Sequence, residues 1–278
     1  TVLTPPPGCD QVQVIDTLVE GVHFPAGTSA ADIGYRVVAV NLSDVAAMGA
    51  NPRWMTLALT LPQADDRWVA DFADGLFEAA KEFDVALVGG DMTRGDKVVA
   101  TVHITADVEA GKALLRSQAK VGDAVFVTGT LGDAAAGLAL LRRGEFDAFL
   151  VGRFLRPNAR IAIGRQLVGR ASSAIDISDG LVGDLTKLLA ASGVGGELEV
   201  ERLPMSDAIK ARFDEAQRTR LALTGGDDYE LCFTAQPDAV KGIDDVTAIG
   251  RITDGAGLTC RDDGVVVEYD DSGYRHFL

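Results

Sequence analysis

The strongest constraint on the fold is a helical stretch that carries a carboxylate on its apolar face. Residues 36–50 read RVVAVNLSDVAAMGA, which has the period of a buried helix. The apolar positions that share one face are Ile33, Val37, Val40, Ala47 and Met48. Asp44 falls on the same face, where a carboxylate without a partner would be costly to bury. A nearby arginine, Arg36 or Arg53, is one candidate partner, and a bound cation is another.

Strand and helix patterns mix along the 278 residues, which predicts an α/β protein with two domains. Residues 1–110 are expected to form an α+β domain, in which VALVGGD reads as a short strand ending in a Gly-Gly-Asp turn. Residues 111–278 are expected to form an α/β domain that completes the site. There, AIDISDGLVGD reads as a strand followed by a helix, with Ser178 and Asp179 as the helix cap and first-turn acid.

Charge and cysteine content restrict the class of partner and the compartment. The formal net charge of −15 disfavours nucleic acids and anionic membranes as partners. No apolar run is long enough to span a bilayer, and the first residues lack the features of a signal peptide. Cys9, Cys232 and Cys260 form no C-x-x-C pair, which favours a reducing cytoplasm. The sequence starts at Thr1 rather than at methionine, so we expect further residues before it.

Aspartates recur where the expected strands end and in glycine-rich segments. They are Asp16, Asp44, Asp91, Asp176, Asp179, Asp227 and Asp228. An aspartate in such a place most often caps a helix or forms a turn, but Asp44 lies within a helix and Asp176 within a strand. Carboxylates that face a common point repel one another unless cations lie between them, and oxygen ligands without clustered histidine or cysteine suit Mg²⁺. Mg²⁺ would also allow a chain of this charge to bind a polyphosphate.

Glycine-rich segments and one histidine are further candidates for ligand contact. LVGGD and VTGTLGDAAAG could present backbone N–H groups to a phosphate, although tight turns need glycine as well. The sequence has no P-loop pattern, no protein-kinase H-R-D and D-F-G set, no G-x-S-x-G elbow and no H-E-x-x-H. His103 alternates with strand residues and is expected to be structural, whereas His23 could contact a ligand.

Six segments, in this order and spacing, resemble thiamine-monophosphate kinase, a family in the superfamily of aminoimidazole-ribotide synthetase and selenophosphate synthetase. They are DTLVEGVHF, AVNLSDVAAMGA, TLALTLP, GGDMTRG, AIDISDGL and GGDDYELCFT. The resemblance implies a PurM-like two-domain fold whose N-terminal domain dimerises through a mixed sheet. It also implies ATP-dependent phosphorylation of thiamine phosphate to thiamine diphosphate, in which the acceptor phosphate attacks the γ-phosphoryl group directly.

The resemblance assigns roles to individual residues. Those implied to hold several Mg²⁺ ions are Asp16, Asp44, Asp91, Asp176 and Asp179. Those implied at ATP are Gly90, Asp91, Arg116 and Ser178. Those implied at thiamine phosphate are His23, Asp227 and Tyr274. No general base is assigned, because an acceptor phosphate is already anionic at neutral pH and catalysis can rest on alignment and charge neutralisation.

The sequence departs from the family pattern at several of these places. Val14 and Ile15 stand where the family tends to have hydroxyl side chains, and Met92 replaces a usual threonine. Asp227 stands where glutamate is frequent, and Tyr274 is the candidate substitute for a tryptophan that stacks on the substrate. Two alternatives therefore stay open: an ATP-dependent superfamily member with a different acceptor, and a non-catalytic nucleotide- or metal-binding homologue.

Overall fold

A mixed four-stranded sheet organises the N-terminal part of the computed structural model, which describes residues 1–269. Its strands are β1 (Cys9–Val19), β2 (Asn51–Leu61), β3 (Ala86–Arg94) and β4 (Val99–Glu109). In the order β1-β4-β2-β3, strands β1 and β2 pair antiparallel with β4, and β3 pairs parallel with β2. Two helices, α1 (Ala30–Ala47) and α2 (Asp66–Glu82), belong to the same part of the chain.

Strand β3 extends further than the sequence predicts. Gly89, Gly90 and Asp91 lie inside the strand, so the predicted Gly-Gly-Asp turn is wrong. Position 90 requires glycine because of the neighbouring strand β2, since a Cβ on Gly90 would lie 2.2 Å from the carbonyl oxygen of Leu57. Gly89 has open space around it. Gly90 is therefore required by the close approach of β2 rather than by a turn.

The second sheet contains seven strands within residues 1–269, in the order β11-β10-β7-β9-β5-β8-β6. The strands are β5 (Ala124–Thr128), β6 (Ser173–Ile177), β7 (Gly195–Glu199), β8 (Glu230–Ala235), β9 (Val246–Thr253), β10 (Gly257–Asp262) and β11 (Val265–Val267). The helices are α3 (Asp133–Arg142), α4 (Ala148–Leu155), α5 (Ile161–Leu167), α6 (Leu181–Ser192), α7 (Asp207–Arg212) and α8 (Glu215–Thr224). The predicted α/β class and two-part architecture are confirmed.

Helix α1 is the central element between the two sheets. The side chain of Ser29 caps it by accepting from the backbone N–H of Asp32, and almost all its residues are buried. Other helices pack against it so closely that Cβ atoms on Gly34 and Gly164 would clash with backbone carbonyls of α2 and α1 respectively. These contacts fix α1 in place relative to both sheets.

Across residues 1–269, no helix combines the length and apolarity needed to cross a bilayer.

Candidate active site

Asp44 lies half-buried in the last turn of α1, and neither candidate arginine pairs with it. Arg36 forms an ion pair with Asp227, and Arg53 pairs with Asp107. The pKa of Asp44 is raised to about 6, chiefly by burial and then by the charge of Asp16, while Arg116 acts in the opposite direction. The structure thus excludes the arginine explanation and leaves Asp44 among other carboxylates.

Asp16 and Asp176 reach the same region from two different strands. Asp16 lies in β1, and its backbone N–H donates to Oδ1 of Asn41 at 2.9 Å. Burial raises its pKa to about 6, with further contributions from Asp176 and Asp179. Asp176 is buried in β6, and burial followed by the charge of Asp44 raises its pKa to about 7.

One polar contact ties Asp176 to α1. The hydroxyl of Ser43, the residue before Asp44, donates to Oδ2 of Asp176 at 2.9 Å. Ser43 is fully buried, so this bond replaces the water that both groups lose on folding. The bond links α1 to strand β6 at the point where the carboxylates of Asp44 and Asp176 come together.

Asp184 joins the cluster and organises the segment that follows β6. Its Oδ2 accepts from the backbone N–H groups of Ser178, Asp179 and Gly180 at 2.9–3.2 Å. Its Oδ1 accepts from Lys187, which also pairs with Asp179 at 2.6 Å. The prediction that Ser178 is the cap and Asp179 the first-turn acid of α6 is therefore wrong. Gly180 precedes the helix, and no side chain caps it. The carboxylate of Asp184, in the first turn of α6, binds the N–H groups of residues 178–180 instead.

Asp91 and Gly90 lie apart from this cluster within one chain. In the sheet register, Asp91 pairs with Ala58 of β2, and β3 is at the opposite edge of the sheet from β1, which carries Asp16. Three strand spacings of about 4.8 Å separate the two strands, roughly 14 Å in all. The structure therefore brings together Asp16, Asp44, Asp176 and Asp179, together with Asp184, but not Asp91.

Three of the residues expected at the nucleotide and the acceptor lie beside the cluster, namely Arg116, Ser178 and Asp227. Arg116 is exposed, and its charge lowers the pKa of both Asp44 and Asp176. The backbone carbonyl of Ser178 accepts from the N–H of Asp227 at 2.9 Å, so the expected ATP and substrate segments are in direct contact.

Two further residues complete the expected substrate set. His23 lies half-buried in the turn after β1, and its Nδ1 accepts from the backbone N–H of Val19 at 3.0 Å. Tyr274 lies outside the described residues.

Sequence reasoning missed Asn41, Ser43 and Asp184. All three are buried polar residues in apolar helices, which is the signal that singled out Asp44. Asn41 and Ser43 are uncharged, and Asp184 has the spacing of an ordinary first-turn acid in LVGDL. Asn41 and Ser43 bind strands that are distant in sequence, whereas Asp184 binds the segment directly before its own helix.

The carboxylate cluster fits Mg²⁺ in the chemistry of its ligands. Its donors are oxygens only, and three of the carboxylates have raised pKa values that a cation would lower again. No group of three or more histidine, cysteine or acidic side chains in residues 1–269 forms a ready-made metal site. Mg²⁺ commonly binds through one or two carboxylates, several waters and the phosphates of a nucleotide.

Comparison with family models covers both parts of the chain. The model of the AIR synthase related protein, N-terminal domain, matches residues 1–107. The model of the AIR synthase related protein, C-terminal domain, matches residues 120–263.

Individual relatives are similar over nearly the whole chain. The thiamine-monophosphate kinase of Salmonella typhimurium is 48% identical, over 94% of this chain and 85% of the relative. The crystal structure of thiamine-monophosphate kinase from Stenotrophomonas maltophilia is 42% identical with a TM-score of 0.90, over 96% of this chain and 89% of that one. The structure of AaThiL complexed with AMPPCP and TMP is 35% identical with a TM-score of 0.91, over 99% of this chain and 89% of that one.

Proposed function

The chain belongs to the thiamine-monophosphate kinase family, and from this premise we propose how its residues carry out the reaction. It transfers the γ-phosphoryl group of ATP to the phosphate of thiamine phosphate, giving thiamine diphosphate and ADP. AaThiL, which is 35% identical, binds AMPPCP and TMP, an ATP analogue and the acceptor of this reaction. We propose below which residues bind Mg²⁺, which contact ATP and thiamine phosphate, and how two chains assemble.

One observation carries the proposal, namely the convergence of Asp16, Asp44 and Asp176 from three separate elements. Their pKa values of about 6 to about 7 mean that the folded chain holds these carboxylates together at an electrostatic cost. Divalent cations that arrive with ATP would remove this cost. We propose that Asp16, Asp44, Asp176 and Asp179 bind Mg²⁺.

The reaction needs alignment and charge neutralisation more than proton transfer. When bound, Mg²⁺ supplies positive charge that screens the phosphates from one another. We propose that Arg116, whose charge lowers the pKa of Asp44 and of Asp176, contacts a phosphate of ATP. Asp184 holds the Ser178 segment by accepting from its backbone N–H. We propose that Asp227, whose backbone N–H donates to the carbonyl of Ser178, holds the acceptor. No residue is needed as general base, because the attacking phosphate oxygen is already ionised.

Asp91 and Gly90 enter the proposal through a second copy of the chain. One face of the four-stranded sheet exposes Ile15, whose side chain is 63% exposed, beside His103 of the paired strand. We propose that two chains dimerise through this face, and that Gly90 and Asp91 then serve the nucleotide site. Since Cys9, Cys232 and Cys260 are all free, we also propose that the protein works in the reducing cytoplasm.

The test is a product assay with ATP, Mg²⁺ and thiamine phosphate, read by chromatography of the thiamine compounds. Thiamine diphosphate and ADP are expected in equal amounts, and unphosphorylated thiamine, offered as the control acceptor, is expected to give none. ADP with free phosphate and no thiamine diphosphate would favour another acceptor. Nucleotide binding without any turnover would favour a non-catalytic homologue.

A further inference from the structure

Arg36 is a fully buried arginine on α1 whose partners belong to the second part of the chain. Its side chain is only 1% exposed. Nη1 donates to the backbone carbonyl of Phe154, and Nη2 donates to Oδ1 of Asp227. The guanidinium lies 4.4 Å from the centre of the Phe154 ring and 5.7 Å from that of Tyr229.

This arrangement is unfavourable for stability alone. The attraction within an ion pair often fails to recover the cost of removing its charges from water, and Arg36 is fully removed from water while Asp227 is 29% exposed. Nε of Arg36 is also buried without a hydrogen-bond partner among residues 1–269, which adds a further cost. A costly group inside an otherwise apolar helix points to a functional requirement.

The group that Arg36 holds is Asp227, expected at the acceptor substrate. Oδ1 of Asp227 accepts from Arg36 and from the hydroxyl of Tyr229 at 3.2 Å. No donor in residues 1–269 is bonded to Oδ2, and the side chain is 29% exposed. One oxygen is thus fixed from inside the protein, while the other is available to a ligand.

The backbone around Asp227 is held in an unusual conformation. The φ angles of Asp227 and Tyr229 are +72° and +51°, in the left-handed region that non-glycine residues seldom adopt. Their N–H groups donate to the carbonyls of Ser178 and Ile177, both at 2.9 Å. Strain of this kind persists where the surroundings hold it and where a side chain must point in one direction.

We propose that Arg36 is the positioning residue for the acceptor substrate, because it holds Asp227 so that Oδ2 faces the cationic ring system of thiamine phosphate. The inference rests on the proposed function, and on the substrate role of Asp227 in particular. Tyr229 supports Arg36 by donating to the same oxygen.

Helix α1 adds a geometric consequence. Arg36 and Asp44 lie on the same helix, eight residues and therefore about 12 Å apart along its axis. The helix is fixed by close packing against its neighbours at Gly34 and Gly164. One rigid element therefore sets the distance between the acceptor's ring and the phosphate-transfer centre, which restricts acceptors by length as well as by charge.

The test compares Arg36→Met with a matched control, Arg156→Met. Arg156 is also paired across elements, with Asp32 and Glu78, and lies over the ring of Tyr35. Arg36→Met is expected to raise KM for thiamine phosphate about tenfold or more and to change KM for ATP less than about twofold. Arg156→Met is expected to change neither KM.

A double-mutant cycle shows whether Arg36 acts through Asp227. In an Asp227→Asn background, Arg36→Met is expected to raise KM for thiamine phosphate by less than about twofold. Additive effects of the two changes, or equal rises in both KM values, would overturn the inference. If Arg36→Met does not fold, Tyr229→Phe serves instead, with an expected rise of about threefold for thiamine phosphate only. A selective effect supports the inference, and an unselective one overturns it.

Different results would refute the proposed function and the role of Arg36. Wild-type protein that makes no thiamine diphosphate would refute the proposed function itself. Active wild-type protein, combined with an Arg36→Met variant that has unchanged KM values, would refute only the role of Arg36.

Discussion

Replacing Asp44 by asparagine is expected to stabilise the protein without divalent cations and to abolish its kinase activity. The change keeps the size of the side chain but removes a charge that lies beside Asp16 and Asp184. Under the proposed function a bound cation compensates for that charge in the wild-type protein, and without the cation the charge destabilises the fold. Asp44→Asn should therefore raise stability in the absence of divalent cations and lower kinase activity.

The magnitude follows from the pKa of Asp44. Folding raises it from 3.8 to about 6, so the folded chain binds the proton more tightly than the unfolded chain. The stability this gives is present below pH 3.8 and is lost as the pH rises through about 6. The full difference corresponds to about 3 kcal/mol at pH 7.5. Because the amide is still partly desolvated, we expect a net gain of about 1–2 kcal/mol, or a few degrees in Tm.

The assay is thermal unfolding in EDTA at pH 7.5 and pH 4.5, together with the kinase assay in Mg²⁺. The gain of Asp44→Asn should be largest at pH 7.5 and shrink at pH 4.5, where wild-type Asp44 is mostly protonated. Asp71→Asn, an exposed position on α2, is the control and should change neither Tm nor activity. An Asp44→Asn variant that keeps wild-type activity, or is less stable in EDTA at pH 7.5, would refute the reasoning.

Three further predictions concern strand β3, the segment before α6 and the carboxylate cluster. Gly90→Ala should lower the free energy of unfolding by about 2 kcal/mol, because its Cβ would meet the carbonyl of Leu57. Gly89→Ala, the control, should be nearly neutral. Urea denaturation of both variants checks this prediction. Asp184→Ala should cost about 3–5 kcal/mol, since three backbone N–H groups lose their acceptor; Asp184→Asn, which keeps one oxygen, should cost less, and equal losses would contradict the role of that carboxylate. In EDTA, wild-type protein should lose stability between pH 5 and 8, because the pKa of Asp176 is raised to about 7, and Mg²⁺ should reduce this loss; a stability that rises over that range would contradict the assignment.

The sequence was sufficient for the fold class and for most of the carboxylate cluster. Asp44 and Asp176 were identifiable because a charge within an apolar helix or strand needs a partner. That the two lie together was not readable from local pattern, because they are separated by 132 residues and meet only when β6 packs beside α1. The family resemblance supplied that link.

The errors of the sequence reading share one physical cause. Gly90 was interpreted as a turn former, but a neighbouring strand excludes any side chain there. Ser178 was interpreted as the cap and Asp179 as the first-turn acid of α6, but Asp184 is the first-turn acid and binds the N–H groups of both. In each case a tertiary contact decided what local propensity left ambiguous. Arg36 was considered only as a partner for Asp44, and its pairing with Asp227 depends on a segment 191 residues away.

The most direct test of the account follows the γ-phosphoryl group itself. Labelled ATP is incubated with thiamine phosphate and Mg²⁺, using wild-type protein and Asp44→Asn side by side. The account predicts that wild-type protein places the label in the terminal phosphate of thiamine diphosphate, in an amount equal to the ADP formed, and that Asp44→Asn places none there. Label released only as free phosphate, or equal transfer by both proteins, would contradict it.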